Sequence, residues 1–251
     1  PFSLINALSD RKLRNYWASS GATSLLPKFV ENMEMKMEYF DHCFIEGDTL
    51  ETSDVVNGGA ELFLYQLGYL TIKGYDDGVY ILGFPNFEVR KALYRVVVPA
   101  LTMKSNSEVV SAQSFLRKMM QDGNTAEAKK ALKALIADVP YSNKKMASMD
   151  MEERYRLIMS TIFRALGFRV EVERMLATGR IDMIVEVPSI IYVLELKLSN
   201  NGGISAAESQ IKDKSYTEPF KADKRKVIAL AVELDETGKG LIDWKEVDEG
   251  V

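Results

Sequence analysis

Asp182, Glu195 and Lys197 lie in two β-rich runs, 179–187 and 190–198, that flank the dipeptide Pro188-Ser189. If Pro188 and Ser189 form a two-residue turn, Val187 faces Ile190, and counting outward sets Asp182 opposite Glu195. Directly opposed residues hold their Cβ atoms about 5 Å apart. Two carboxylates at that spacing repel, and a nearby cation is needed to keep both ionised in a partly buried site. Lys197, two positions beyond Glu195, shares its face of the strand, so its ammonium can reach a water or a phosphate oxygen beside such a cation. These groups suit phosphodiester hydrolysis. A divalent ion polarises the phosphoryl oxygen and lowers the pKa of a bound water, while the ammonium stabilises hydroxide or the developing oxyanion. A turn of another length would shift the register and could send Asp182 to the opposite face.

An acid two residues before a lysine is a cheap pattern, and it recurs at Asp10/Lys12, Glu34/Lys36, Glu127/Lys129 and Asp243/Lys245. The first three fall in helix-like stretches, where i and i+2 diverge. Asp243 lies in a strand-like run with no opposed carboxylate expected. Around Glu195, by contrast, Ile190, Ile191, Tyr192, Val193, Leu194, Leu196 and Leu198 are apolar on both faces, as in a strand covered from both sides. Charges in that run demand a reason. The plain structural alternative is a strand-end ion pair between Glu195 and Lys197.

The order after Asp150 reads helix (Met151 to Leu166), strand (Phe168 to Arg174), strand (Arg180 to Val187), strand (Ile190 to Leu198), helix (Ile204 to Tyr216) and strand (Arg225 to Glu233). With Gly179-Arg180-Ile181-Asp182, Glu195-Leu196-Lys197 and Gln210 on the following helix, it resembles the PD-(D/E)XK nuclease core. More closely, nearly the whole chain is similar to the C-terminal part of bacterial AAA-ATPase-like proteins that end in such a domain. The segments that carry this likeness are Pro1-Phe2-Ser3-Leu4, Arg14-Asn15-Tyr16-Trp17, Leu67-Gly68-Tyr69-Leu70-Thr71, Gly83-Phe84-Pro85-Asn86 and Glu88-Val89-Arg90.

The resemblance implies an α/β fold, α+β overall: a C-terminal restriction-endonuclease-like mixed sheet flanked by helices, after a mainly helical region. It implies that Asp182 and Glu195 bind Mg²⁺ or Mn²⁺ and that Lys197 positions or activates the attacking water. Glu152 would add an acidic group from the preceding helix, and Gln210 would support the site from the other side. DNA is the implied nucleic-acid partner, and an ATPase domain is implied upstream in a longer chain, with which the lack of an initiating Met at Pro1 agrees. The family often carries Tyr-His in its first helix. Here the pair is Tyr155-Arg156, which leaves the role of an imidazole unfilled.

A helical wheel, at about 100° per residue, sets Glu152 on one face with Tyr155, Met159, Phe163 and Leu166 and places Glu153 beside Ser160 and Arg164. Glu152 is therefore the better candidate for the acidic role. Glu153 has its own explanation in a capping-box-like pattern that starts at Asp150. Gln210 has a plain reading as a solvated helical glutamine, and Tyr216 reads as packing at a helix end that Pro219 enforces.

Other chemistry is poorly supplied. The one histidine, His42, adjoins the one cysteine, Cys43, so a thiolate-imidazole zinc site cannot be assembled from them; a nucleophile pair is conceivable, but neighbouring residues in a helix or strand point apart, which favours a plain structural role. No Gly-x-x-x-x-Gly-Lys-Ser/Thr loop is present; Gly58-Gly59 and Gly202-Gly203 read as loop or helix-boundary glycines. A net charge of −4 argues against broad affinity for nucleic acid. A local groove is still compatible with it if Arg164, Arg169, Arg174, Arg180, Lys197 and Lys224-Arg225-Lys226 share a face.

The 251 residues, 47% of them hydrophobic, suffice for two cores. The turn-rich stretch Val139 to Lys145 predicts a boundary, giving 1–140 as a helical, winged-helix-like region that resembles the end of an AAA-ATPase-like module and 141–251 as the nuclease-like domain. Helices are expected over Ser3 to Ser20, Ser24 to Met37, Gly59 to Leu67 and Glu88 to Met103, with two more between Ser107 and Ala137. Tyr69 to Lys73 and Val79 to Gly83 read as a hairpin about Tyr75-Asp76-Asp77-Gly78. The helix before it carries Glu61 and no Lys or Arg, which suits packing against protein. Phe63, Tyr65, Phe84 and Phe87 read as core rather than as stacking platforms. With no bilayer-length apolar run, no signal peptide and no disulfide framework, the cytoplasm is the expected compartment. The rival to a Mg²⁺-dependent nuclease is a noncatalytic regulatory or protein-interaction module that keeps the nuclease architecture.

Overall fold

The computed structural model describes residues 37–52, 59–102, 104–137 and 149–248, together with Ser9. Outside them fall the motifs 1–4 and 14–17, nearly all of the two expected N-terminal helices, and the boundary stretch 139–145. Two compact units divide between Val97 and Val98.

The first unit contains β1 (Cys43–Glu46), the short α1 (Gly47–Leu50), α2 (Gly59–Gln66), β2 (Thr71–Asp76), β3 (Val79–Gly83) and most of α3 (Phe87–Thr102), a helix that crosses the division. Its sheet has the order β1-β3-β2, antiparallel throughout. The expected hairpin is present. Asp77 and Gly78 both take positive φ, 42° and 85°, as a two-residue turn matched to strand twist requires. Phe84 is buried, with the Arg90 guanidinium over its ring, whereas Phe87 is 51% exposed and not core. Phe87 opens α3, so its side chain has only one turn of helix beneath it.

The second unit holds α4 (Asn106–Gln121), α5 (Thr125–Ile136), α6 (Met151–Ala165), β4 (Arg169–Met175), β5 (Arg180–Glu186), β6 (Ile190–Leu198), α7 (Gly203–Lys214), β7 (Lys226–Leu234) and β8 (Leu241–Val247). The five strands lie in sequence order; β6 and β7 are parallel and the other pairs antiparallel. A parallel pair needs a crossover, and α7 supplies it. Its Ala207 and Ile211 pack on Ile184, Ile191, Val193, Ala229 and Ala231. This mixed α+β arrangement is that of a restriction-endonuclease-like fold.

Local signals set most helix ends. Ser105 and Glu108 form a reciprocal capping box that starts α4, and Asn124 accepts from Glu127 N at 3.2 Å to start α5. Gly167, at φ 84°, ends α6 in the left-handed conformation. Asp150 is the N-cap of α6, yet its side chain makes no capping hydrogen bond, so the expected box with Glu153 is not formed.

The compact division differs from the 140/141 boundary expected from composition, because α4 and α5 join the five-stranded sheet. Trp244 Nε1 donates to Thr125 O at 3.0 Å, Lys129 Nζ pairs with Asp243 at 2.6 Å, and Tyr192 OH donates to Met120 O at 2.6 Å. Asp243, expected to lack an opposed acid, faces Glu233 in the β7–β8 register. The two do not share a cation: Asp243 pairs with Lys129, and Glu233 accepts from Ile204 N at 3.2 Å.

Candidate active site

One face of the sheet changes from apolar to charged along its strands. Ile191 and Val193 on β6 are followed at the same parity by Glu195 and Lys197, Ala229 and Ala231 on β7 by Glu233, and Ile184 on β5 is preceded by Asp182. The β5–β6 turn is the two-residue connection expected, with Val187 N donating to Ile190 O at 2.9 Å. The register runs through Ile184 opposite Val193 and ends at Met183 opposite Leu194, one residue short of Asp182 and Glu195.

Both acids are buried, Asp182 at 3% and Glu195 at 0% exposure. Lys197 Nζ donates to Glu195 Oε1 at 2.7 Å, and Leu196 N donates to Asp182 Oδ2 at 2.9 Å. Glu195 Oε2 is buried without a hydrogen-bond partner. Burial first, and the neighbouring Asp182 second, push the Glu195 carboxyl up to about 8. Burial opposes the charge on Lys197, but the hydrogen bond to Glu195 and the charges of Glu195, Asp182 and Glu152 outweigh it and raise its pKa.

Glu152 stands in the first turn of α6, and burial, then the charge of Asp182, raise its pKa. Tyr155, Met159, Phe163 and Leu166 of the same helical face are all buried, as the wheel requires. Gln210 makes its recorded contact one step away from the acids: its Nε2 donates to Tyr216 OH at 2.9 Å, and Tyr216 OH donates to Arg180 O at 2.7 Å. Tyr216 is core, as expected, but its hydroxyl also ties Gln210 to the start of β5. Gly179 keeps this path clear, since a Cβ there would come 3.2 Å from that hydroxyl.

Two residues of the cluster escaped the sequence reading, Arg156 and Glu173. Arg156 Nη2 lies 3.3 Å from Glu152 Oε1 and 3.4 Å from Asp182 Oδ1, and its Nη1 lies 3.1 Å from Glu173 Oε1. Glu173 Oε1 is also 3.0 Å from Arg180 Nη1. The signal for Arg156 was its i,i+4 spacing from Glu152 and its place where the resembled family has an imidazole. Glu173 had no comparable signal. It takes φ 54° inside β4, a conformation uncommon for a residue with a Cβ.

The basic residues proposed as a phosphate groove are not one surface of unpaired charge. Arg164 donates to Val170 O at 2.7 Å, Arg169 and Arg225 pair with Glu186, and Arg174 pairs with Glu171 and stacks on Phe220. Arg180 and Lys197 belong to the acidic cluster. Away from the cluster, Cys43 is a buried thiol pushed up to about 12 by burial, so it stays protonated, while His42 is exposed.

No group of three or more His, Cys, Asp or Glu among the described residues is arranged to hold a metal ion, and the cations Arg156 and Lys197 stand beside several of these acids. Asp182 and Glu195 are the residues that could hold a divalent ion of the kind that takes one or two protein carboxylates and keeps several waters. The partnerless Glu195 Oε2 is the oxygen such an ion would satisfy.

Residues 150–244 match the family model described as the PD-(D/E)XK nuclease superfamily. The chain is 25% identical over 258 residues to a protein of Azotobacter chroococcum mcd 1 described as an uncharacterized protein in the vnfD 5' region. That likeness covers 97% of this chain and 48% of the relative, so the chain spans about half the relative's length. No solved structure matches. The mixed sheet with its parallel β6–β7 crossover and the matched segment together make residues 150–244 a domain of the PD-(D/E)XK nuclease superfamily.

Proposed function

We propose that this domain hydrolyses phosphodiester bonds in DNA with a bound divalent ion, Mg²⁺ or Mn²⁺. One observation carries the reading: two buried carboxylates on adjacent strands, with a lysine ammonium 2.7 Å from one oxygen of Glu195 and no partner on the other. An ordinary ion pair explains the first oxygen and leaves the Glu195 carboxyl against that of Asp182, two acids that only a shared proton or a cation reconciles. Burying an unsatisfied carboxylate oxygen costs stability, and active sites are where such costs are tolerated.

Asp182 and Glu195 would hold the ion, which supplies Lewis-acid polarisation of the phosphoryl oxygen and a more acidic water. Lys197 holds the attacking water from its place beside Glu195 and stabilises the negative charge that develops on oxygen. Glu152, its pKa raised, is suited to carry a proton at the edge of the cluster. Gln210, through Tyr216, fixes the start of β5 and hence Asp182 two residues on.

DNA as substrate and an ATPase module upstream rest on the family resemblance. The first unit is read as winged-helix-like from its strand, two helices and hairpin with sheet order β1-β3-β2. The test is cleavage of matched DNA and RNA oligonucleotides with Mg²⁺, Mn²⁺ or EDTA by wild type and Lys197→Ala. Ion-dependent cleavage of DNA that Lys197→Ala lacks is the expected result. Equal products from both proteins, or none with any substrate, would point to the noncatalytic module instead.

A further inference from the structure

Arg156 bears on how many ions the cluster takes, a question that rests on the ion-binding reading of Asp182 and Glu195. We infer that the site takes a single divalent ion, at Asp182 and Glu195, because the Arg156 guanidinium stands as a fixed cation between Glu152 and Asp182, where a second ion would have to bind.

The geometry is that of a bridge. One nitrogen, Nη2, lies 3.3 Å from Glu152 on α6 and 3.4 Å from Asp182 on β5, so the two acids that could share a second ion share a guanidinium. The other nitrogen, Nη1, is anchored 3.1 Å from Glu173, whose backbone holds a left-handed conformation inside a strand to place its carboxylate there. Arg156 is 7% exposed, so moving its guanidinium off these carboxylates would strand a buried charge.

Charge balance agrees. Four carboxylates, from Glu152, Glu173, Asp182 and Glu195, face three cations, the largely buried Arg156 and Lys197 and the half-exposed Arg180. One divalent ion already outweighs the single excess negative charge of this set, and a second would leave it with three excess positive charges. The hydrogen bonds agree as well. Asp182 Oδ2 accepts from Leu196 N, Glu195 Oε1 accepts from Lys197, and Glu195 Oε2 is the oxygen left without a donor.

The test counts Mn²⁺ ions bound to the full chain by isothermal titration calorimetry, with unbound Mn²⁺ followed by electron paramagnetic resonance and folding checked by circular dichroism. Wild type and Arg156→Lys should bind one ion. Arg156→Gln, which removes the guanidinium between Glu152 and Asp182, should bind two. Glu152→Gln should still bind one ion, its affinity weakened by no more than about tenfold, the low end for a residue outside the ion's own ligands. Two ions on wild type, one ion on folded Arg156→Gln, or loss of binding in Glu152→Gln would each overturn the inference. If Arg156→Gln does not fold, the wild-type count and Glu152→Gln decide. A wild type that binds no Mn²⁺ sinks the ion-binding reading itself, a result distinct from a wrong count.

Discussion

Glu195 sets the electrostatics of the cluster, and its behaviour with pH follows from its surroundings. Its pKa in the folded protein is raised from 4.5 to about 8. Across that window the folded state keeps a proton that the unfolded state has lost. In ion-free protein, the stability tied to Glu195 is therefore fully present below pH 4.5 and is lost as pH rises toward about 8. Melting temperatures in EDTA should fall across this window for wild type and stay flatter for Glu195→Gln; parallel curves would show that Glu195 does not carry the effect. Lys197→Ala makes a second prediction. It removes the ammonium and spares both presumed ligands, so cleavage should drop by about 10²–10³-fold, as when a donor to a developing oxyanion is lost, with Mn²⁺ binding retained. Loss of both together would make Lys197 a structural partner of Glu195 and nothing more.

At the scale of elements, the start of α7 shows how closely backbone and charge are fitted. Gly203 has φ 50°, and a Cβ there would lie 2.6–2.8 Å from the Glu233 carboxylate that accepts from Ile204 N. Gly203→Ala should therefore destabilise the domain by at least about 1–2 kcal/mol, the cost of a left-handed residue with a Cβ, before the clash is counted. Urea unfolding checks this, and an unchanged midpoint would contradict it. The wheel for α6 found the face that carries Glu152 and missed that Arg154, Arg156, Ser160 and Thr161 are also buried. A wheel assumes one covered face, whereas this helix is covered on several sides, and polar groups survive there because they are hydrogen-bonded: Ser160 and Thr161 donate to Leu157 O.

At the scale of the whole chain, the segment matching the nuclease superfamily begins at residue 150, yet the unit that packs with it begins near Val98. Helix α5 covers β8 through Trp244, Lys129 and the bond from Lys133 to Ile242 O. A fragment 141–251 should thus melt well below a fragment 98–251, with Trp244 more exposed in fluorescence; equal melting temperatures would show α4 and α5 to be dispensable. No helix among the described residues is long and apolar enough to cross a membrane.

The sequence by itself determined what depends on near neighbours. Pro188-Ser189 set the hairpin length, and period-two alternation then put Asp182, Glu195 and Lys197 on one face of the sheet. It was silent on interactions that couple distant elements. Arg156 joined to Glu173, Gln210 reaching β5 through Tyr216, the pairing of the basic residues and the docking of α5 on β8 were decided by tertiary structure. The physical reason is that register and helix phase follow from local geometry, whereas the partner of a long, flexible charged side chain depends on which strands the sheet order brings beside it.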